Sequence, residues 1–179
     1  LINLKDKNIV DLPLETMRGC FYRCDYCYYH KNFPVVRHFP LARIEKELKM
    51  ILLHQPHELY LMDATFNSSP ERAKSILRMF IKYNLRTNLH VELKAELLDA
   101  EMAKLLYQAN AYNIEIGIQS INRKTLQAVN RAFDRKKFRK GIRLLNKYKT
   151  YYEIQLIDAL PFQSYADLKN SLDWLYTLH

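Results

Sequence analysis

Three cysteines, the only ones in the 179-residue chain, lie together as Cys20-Phe21-Tyr22-Arg23-Cys24-Asp25-Tyr26-Cys27. Three thiolates at that spacing can hold three irons of a cubane iron–sulfur cluster, which leaves the fourth iron without a protein ligand. Such an iron can bind a substrate or cofactor; a fully ligated electron-transfer cluster cannot. The competing chemistry is a structural zinc site, because His30 can close a Cys3His tetrahedron. Zinc-site cysteines tend to come in Cys-x2-Cys pairs separated by a longer loop, whereas here three residues and then two intervene. The spacing therefore favours the cluster.

A loop of this kind needs rigid elements behind it. Five β-rich runs recur along the chain, at Leu14–Arg18, Glu58–Met62, Thr87–Leu93, Asn113–Gln119 and Tyr151–Leu160. Each precedes a stretch with helical apolar spacing. Leu41, Ile44, Leu48, Ile51 and Leu52 follow the first, opened by Pro40. Ser69-Pro70-Glu71 reads as the cap, first position and acidic first turn of a second helix, whose inner face is Ala73, Ile76, Leu77, Phe80 and Ile81. The third helix spans Leu98 to Ala109 with Met102, Leu105 and Leu106 inward. Asn122–Val129 and a basic helix capped by Asp134 come after the fourth strand. Ser164–Leu178 follows the fifth, with Asp167 three residues beyond the Ser164 cap.

Strand–helix alternation implies parallel strands with right-handed crossovers. The cysteines and other polar candidates fall at the C-terminal ends of strands, where β/α barrels build their sites. No glycine-rich fingerprint follows the first strand, as a dinucleotide fold requires. The expected class is therefore α/β, an incomplete barrel of about five β/α units. Five units cannot close a barrel. Because the chain starts at Leu1 without methionine and stops at His179 just after a helix, residues 1–179 read as one core-domain fragment. A sixth strand would lie beyond it, and the fifth would present an open edge.

Apolar residues make up 49 % of the chain and charged residues 26 %, as in ordinary globular domains. No apolar run is long enough to cross a bilayer and no signal peptide opens the chain. An odd, clustered set of cysteines argues for a reducing compartment, the cytoplasm by default. The net charge of +9 suits an acidic partner such as nucleic acid. Much of it lies in Arg135-Lys136-Lys137-Phe138-Arg139-Lys140-Gly141-Ile142-Arg143, where Phe138, Ile142 and Leu145 recur at helical spacing. A solvated helix face is the simpler reading, and nucleic acid is not favoured.

Cys-x3-Cys-x2-Cys after a first strand, with the aromatic Tyr26 just before the last cysteine, resembles the signature of the radical S-adenosylmethionine superfamily. That resemblance implies a 4Fe–4S cluster on Cys20, Cys24 and Cys27. It implies an open iron chelated by the amino and carboxylate groups of S-adenosylmethionine. It also implies one-electron cleavage of the sulfonium to a 5′-deoxyadenosyl radical that abstracts hydrogen from a small-molecule or other substrate, fed by an external electron donor. Further likeness runs along the chain in order. Met62-Asp63-Ala64-Thr65-Phe66-Asn67 is similar to a variant of the segment contacting the methionyl amino group in the cobalamin-associated branch, which places Asp63 and Thr65 at the cofactor. Glu92 in His90-Val91-Glu92-Leu93 stands where family members hold the ribose hydroxyls. Ile114-Glu115-Ile116-Gly117-Ile118-Gln119-Ser120, followed by Asn130-Arg131, resembles the oxygen-independent coproporphyrinogen oxidase and methylthiotransferase branches. The likeness puts Gln119 beside the ribose and Arg131 on the methionyl carboxylate, a task that suits a guanidinium fork. Tyr26 would lie near the adenine.

The end of the fifth strand departs from the pattern. Ala159 and Phe162 stand in Ala159-Leu160-Pro161-Phe162 where the family has glycines, and Gln155 stands where an aspartate is common, so no cofactor contact is assigned there. Taken singly, Glu92 could be a salt-bridged strand end, Gln119 a helix cap and Arg131 a surface cation. Tyr22, Tyr28 and Tyr29 read as loop packing. The nearest branch implies a cobalamin-linked methylation or rearrangement, with cobalamin held by a domain outside this chain; oxidation without cobalamin and sulfur insertion stay open. The rival class is a zinc-stabilised, basic nucleic-acid-binding module without catalysis.

Overall fold

The computed structural model describes residues 11–83 and 86–178. Leu1, His179 and the side chain of Leu52 lie outside the described residues. In chain order the elements are β1 (Asp11–Leu14), β2 (Met17–Arg18), α1 (Tyr29–Asn32), β3 (Arg37–His38), α2 (Leu41–Leu52), β4 (Glu58–Leu61), α3 (Pro70–Lys82), β5 (Asn88–Glu92), α4 (Ala100–Gln108), β6 (Ala111–Gln119), α5 (Arg123–Ala128), α6 (Arg135–Lys147), β7 (Glu153–Leu156) and α7 (Tyr165–Tyr176). Single 3-10 turns follow β4 at Phe66–Ser68 and β5 at Ala95–Leu97.

Five strands form one sheet in the order β1-β4-β5-β6-β7, every pair parallel. Each strand lies beside the one before it in the chain, so the winding never reverses. A doubly wound sheet contains such a reversal; a partial β/α barrel does not. The fold is the partial barrel expected from the strand–helix alternation.

Strand alternation supplies the core. Leu59 and Leu61, Leu89 and Val91, and Ile114, Ile116 and Ile118 are buried on one face, in one cluster with Ile44, Leu48, Ile76, Leu77, Phe80, Met102, Leu106, Phe138, Ile142 and Leu145 from the helices. Each such side chain withdrawn from water stabilises by about 1.5–3 kcal/mol. The other face carries Tyr60, His90, Glu92, Asn113 and Glu115, and it is this face that lines the barrel.

The caps follow local chemistry. Asp134 accepts from the amides of Lys136 and Lys137 at the start of α6, and Ser164 with Asp167 forms a full capping box on α7. Asp99 and Asn122 cap α4 and α5. Ser69 occupies the cap position of α3 without a capping side-chain bond. Pro40 sits at the cap of α2, one residue earlier than a first helical position. The basic helix buries Phe138, Gly141, Ile142 and Leu145 and leaves most of its cations in solvent, as the spacing predicts.

Two strand boundaries need correction. Leu14–Arg18 is not one strand: the barrel strand ends at Leu14, and Met17–Arg18 pairs antiparallel with β3. The cause is distant in sequence, because the Thr16 and Met17 amides turn out of the ladder onto the Asp63 carboxylate at 2.7 and 3.0 Å. The fifth strand is shorter than Tyr151–Leu160, ending at Leu156 before left-handed backbone at Ala159 (φ 56°).

Candidate active site

The cysteine loop starts at a glycine for a steric reason. Gly19 has φ +96°, and a Cβ there would lie 2.6 Å from the Val35 carbonyl oxygen. From Cys20 onward the loop crosses to the far side of the barrel. The Asp25 amide donates to Val129 O at 3.0 Å, and Asn130 Nδ2 donates to Arg23 O at 3.0 Å. The loop is thus pinned to the turn between α5 and α6, which carries Arg131.

A cavity of about 340 Å³ opens at the C-terminal ends of the strands. Cys20, Cys24 and Cys27 line it together with Tyr22, Tyr26 and Tyr29 from the same loop region. The barrel contributes Thr65 after β4, Glu92 and Lys94 at β5, Glu115, Gly117 and Gln119 on β6, Arg131, and Gln155 on β7. Of the nine residues that the resemblance assigns to the cluster and cofactor, eight share this wall: Cys20, Cys24, Cys27, Tyr26, Thr65, Glu92, Gln119 and Arg131.

Asp63 is the exception. It is 1 % exposed, and its carboxylate accepts from the Thr16 and Met17 amides and the Thr16 hydroxyl. Burial pushes its pKa up against those hydrogen bonds. Asp63 holds the turn leaving β1 and is not among the residues that line the cavity. Tyr28 is mostly exposed and lies outside the wall, while Tyr22 and Tyr29 line it.

Arg131 is the hub. Its Nη1 donates to Tyr26 Oη at 2.7 Å and lies 3.7 Å from Cys24 Sγ, and its Nη2 donates to the Gly117 carbonyl. Its Nε is buried with no partner among the described residues. Burial pushes the Tyr26 hydroxyl far above the ordinary tyrosine range, and the Arg131 charge opposes that shift. Gly117 makes room for this arrangement, since a Cβ there would meet Gln119 Nε2 at 2.3 Å and Arg131 Nη2 at 3.5 Å. Gln119 itself sits at a bulge with φ 68°, and its Oε1 is buried without a partner among the described residues. Non-glycine residues held there cost about 1–3 kcal/mol, a strain typical of functional positions.

Glu92 accepts from Tyr60 Oη at 2.6 Å; burial raises its pKa and the Glu115 charge adds to that. Cys20 Sγ lies 4.0 Å from Thr65 Oγ1, and burial raises the thiol pKa.

Two contributors escape sequence reasoning. Asn67, fully buried, brackets the backbone of Lys94: its Nδ2 donates to Lys94 O at 2.8 Å, and the Lys94 amide donates to its Oδ1 at 2.9 Å. Lys94 Nζ then reaches Ala132 O at 3.1 Å, beside Arg131, and lies 4.4 Å from the Tyr22 ring centre. Burial lowers the Lys94 pKa. The available signal was its place two residues past Glu92, on the same side of the chain's alternation. His30, the fourth ligand of the zinc alternative, is absent from the cavity wall. Among the described residues no three His, Cys, Asp or Glu side chains converge on a single-ion site.

A family model described as the Radical SAM superfamily matches residues 14–175. The chain belongs to the radical SAM superfamily. The family uses a 4Fe–4S cluster and S-adenosylmethionine. Solved structures agree in fold. The radical S-adenosylmethionine methyltransferase TsrM from Kitasatospora setae, solved with tryptophan substrate and a cofactor analogue, superposes at TM-score 0.84 and 19 % identity, over 96 % of this chain and 34 % of that one. The cobalamin-dependent S-adenosylmethionine radical enzyme OxsB, solved with aqua-cobalamin and S-adenosylmethionine, gives 0.71 and 23 % over 92 % and 26 %. Escherichia coli coproporphyrinogen III oxidase (HemN), a radical SAM enzyme, gives 0.69 and 15 % over 97 % and 43 %. The chain thus spans less than half the length of each of these neighbours. No curated protein matches it.

Proposed function

We propose that this chain is the core domain of a radical SAM enzyme that cleaves S-adenosylmethionine reductively to start hydrogen abstraction from a small-molecule substrate, with an external one-electron donor. The observation carrying this reading is the shared wall: three thiols, an arginine and two strand-end polar residues face one cavity. The residues fit the family's cofactors. The three thiols line the space, and two buried polar atoms in the wall, Arg131 Nε and Gln119 Oε1, lack partners among the described residues that a polar ligand would supply.

In this reading Cys20, Cys24 and Cys27 hold a 4Fe–4S cluster, which when bound supplies the electron that breaks the cofactor's carbon–sulfur bond to give the 5′-deoxyadenosyl radical. Arg131 holds the methionyl carboxylate, for which its free Nε is available, and Tyr26 flanks the adenine. Thr65 serves the amino end, while Glu92 and Gln119 serve the ribose. Asp63 supports these contacts from behind by fixing the strand end that leads into the cysteine loop.

The reaction proposed beyond initiation is a cobalamin-linked methylation or rearrangement, with cobalamin on a domain outside this chain; the similarity to TsrM and OxsB supports it. Cytoplasmic residence is proposed from the clustered free cysteines. No described helix is long and apolar enough to cross a membrane. The test is anaerobic reconstitution with iron and sulfide, followed by dithionite and S-adenosylmethionine. 5′-Deoxyadenosine must form, and Cys24→Ala must abolish it with the cluster's absorbance. Failure of the intact protein to release the nucleoside overturns the reading.

A further inference from the structure

Lys94 carries its charge into the interior. It is 9 % exposed, in the wall of the cavity that the three thiols and Arg131 share. Burial disfavours its charged form, the Glu96 carboxylate favours that form, and the Arg131 guanidinium opposes it. The Lys94–Glu96 pair, at 3.4 Å with each side chain 10 % exposed, is withdrawn from water as a unit. Apolar residues of similar volume often replace such a buried pair without loss of stability. Packing alone does not call for a lysine here.

Two further features hold the backbone around it. The fully buried Asn67 side chain bonds the Lys94 amide at 2.9 Å and the Lys94 carbonyl at 2.8 Å. From the core side α6 presses on the next residue, so closely that a Cβ at Gly141 would overlap the Ala95 carbonyl. Glycine inside a helix is destabilising relative to alanine, and here it lets the helix brace this backbone.

The arm fixed in this way reaches two loops. Lys94 Nζ donates to Ala132 O at 3.1 Å, in the turn that carries Arg131. It also lies 4.4 Å from the ring centre of Tyr22, which stands between Cys20 and Cys24 in the cysteine loop. An ammonium suits both contacts, since it donates to a carbonyl and is attracted to an aromatic face. The same two loops meet again where the Asp25 amide donates to Val129 O at 3.0 Å.

We propose that Lys94 is a positioning residue for the iron–sulfur cluster: it ties the cysteine loop to the Arg131 turn and sets a fixed positive charge beside the three thiols. The proposal rests on the radical SAM reading for what the thiols hold, and adds what tunes it. A cubane on three thiolates is anionic and gains one more negative charge on reduction. A cation fixed nearby favours the reduced form and so raises the reduction potential, while the Glu96 carboxylate acts in the opposite direction.

Two measurements on the anaerobically reconstituted protein test this. One is hydrogen exchange of the Asp25 segment by mass spectrometry. The other is a redox titration of the cluster by electron paramagnetic resonance, without S-adenosylmethionine. Both are run on wild type, Lys94→Met, Lys94→Arg and Glu96→Gln, with circular dichroism and iron content on each sample. Lys94→Met is expected to exchange the Asp25 segment roughly tenfold faster and to titrate at a lower potential than wild type. Lys94→Arg keeps the charge and is expected to titrate near wild type. Glu96→Gln, which leaves the cation uncompensated, is expected to titrate higher. A merely structural lysine would alter the exchange and leave the potentials in place; that result overturns the proposal. Unaltered exchange in Lys94→Met, or a Lys94→Arg potential as low as that of Lys94→Met, overturns it too. If Lys94→Met loads no iron, Glu96→Gln decides, and an unchanged or lowered potential there is fatal. If the wild type assembles no cubane, the radical SAM reading itself fails; if it does and the potentials ignore these charges, only the role of Lys94 is wrong.

Discussion

Arg131→Lys isolates what a guanidinium does at this site, because it keeps the charge and removes the fork. Arg131 divides its donors between Tyr26 Oη, the Gly117 carbonyl and the edge of the Cys24 thiol, leaving Nε for a ligand. A lysine ammonium is a point donor and cannot hold Tyr26 and Gly117 while also presenting two parallel N–H groups to a carboxylate. At least one charge-assisted hydrogen bond to the cofactor is lost, worth about 1.5–3 kcal/mol. The Kd for S-adenosylmethionine should therefore rise roughly 10- to 150-fold. The assay is equilibrium dialysis of labelled cofactor against the anaerobically reconstituted protein, with iron content measured on the same sample. Cluster content should stay near wild type, since no thiol is altered. An unchanged Kd with a full cluster would refute the assignment of Arg131 to the carboxylate; loss of the cluster itself would mean that Arg131 acts by positioning the Cys24 loop.

Ala159→Gly should stabilise the protein by about 1 kcal/mol, because Ala159 holds a left-handed φ of 56° that glycine adopts without penalty. Thermal melting should show a rise of roughly 2–4 °C, and a fall would contradict the strain argument. Asn67→Ala should cost about 2–5 kcal/mol by stranding the amide and carbonyl of Lys94, read as a lower urea midpoint at unchanged slope; a loss below about 1 kcal/mol would contradict the bracket. The carboxyl of Asp134 is held below its usual range by the Lys137 amide, and that of Asp167 by the Ser164 hydroxyl. A depressed folded pKa gives stability that is present above the unfolded value near ~4 and lost as pH falls through the folded one. The Lys137 and Asp167 amides should accordingly lose exchange protection as the pH drops below ~4, and protection unchanged down to pH ~2 would deny the caps a role.

Much of the architecture could be read from local patterns. The apolar face of α3 and the caps at Asp134 and Ser164 are written in neighbouring residues, and the structure bears them out. Errors arose where distant residues decide. Leu14 to Arg18 looks like one strand until Asp63, 47 residues beyond Thr16, draws the chain aside. Lys94 and Asn67 gain meaning only from each other and from Ala132. Ala159 and Phe162 both adopt the positive φ, 56° and 60°, normally left to glycine, although neither is one. Glu92, Glu115 and Glu153 are far apart in sequence, and only the pairing register sets them side by side.

The central claim is an iron left free by three thiolates and taken by S-adenosylmethionine. Pulsed electron–nuclear double resonance on the dithionite-reduced protein, with the cofactor labelled by nitrogen-15 at its amino group and oxygen-17 at its carboxylate, reads this directly. Strong coupling of both labels to the cluster spin is the result predicted. A cubane signal indifferent to the labelled cofactor, or a protein that binds stoichiometric zinc and no cluster, would contradict it.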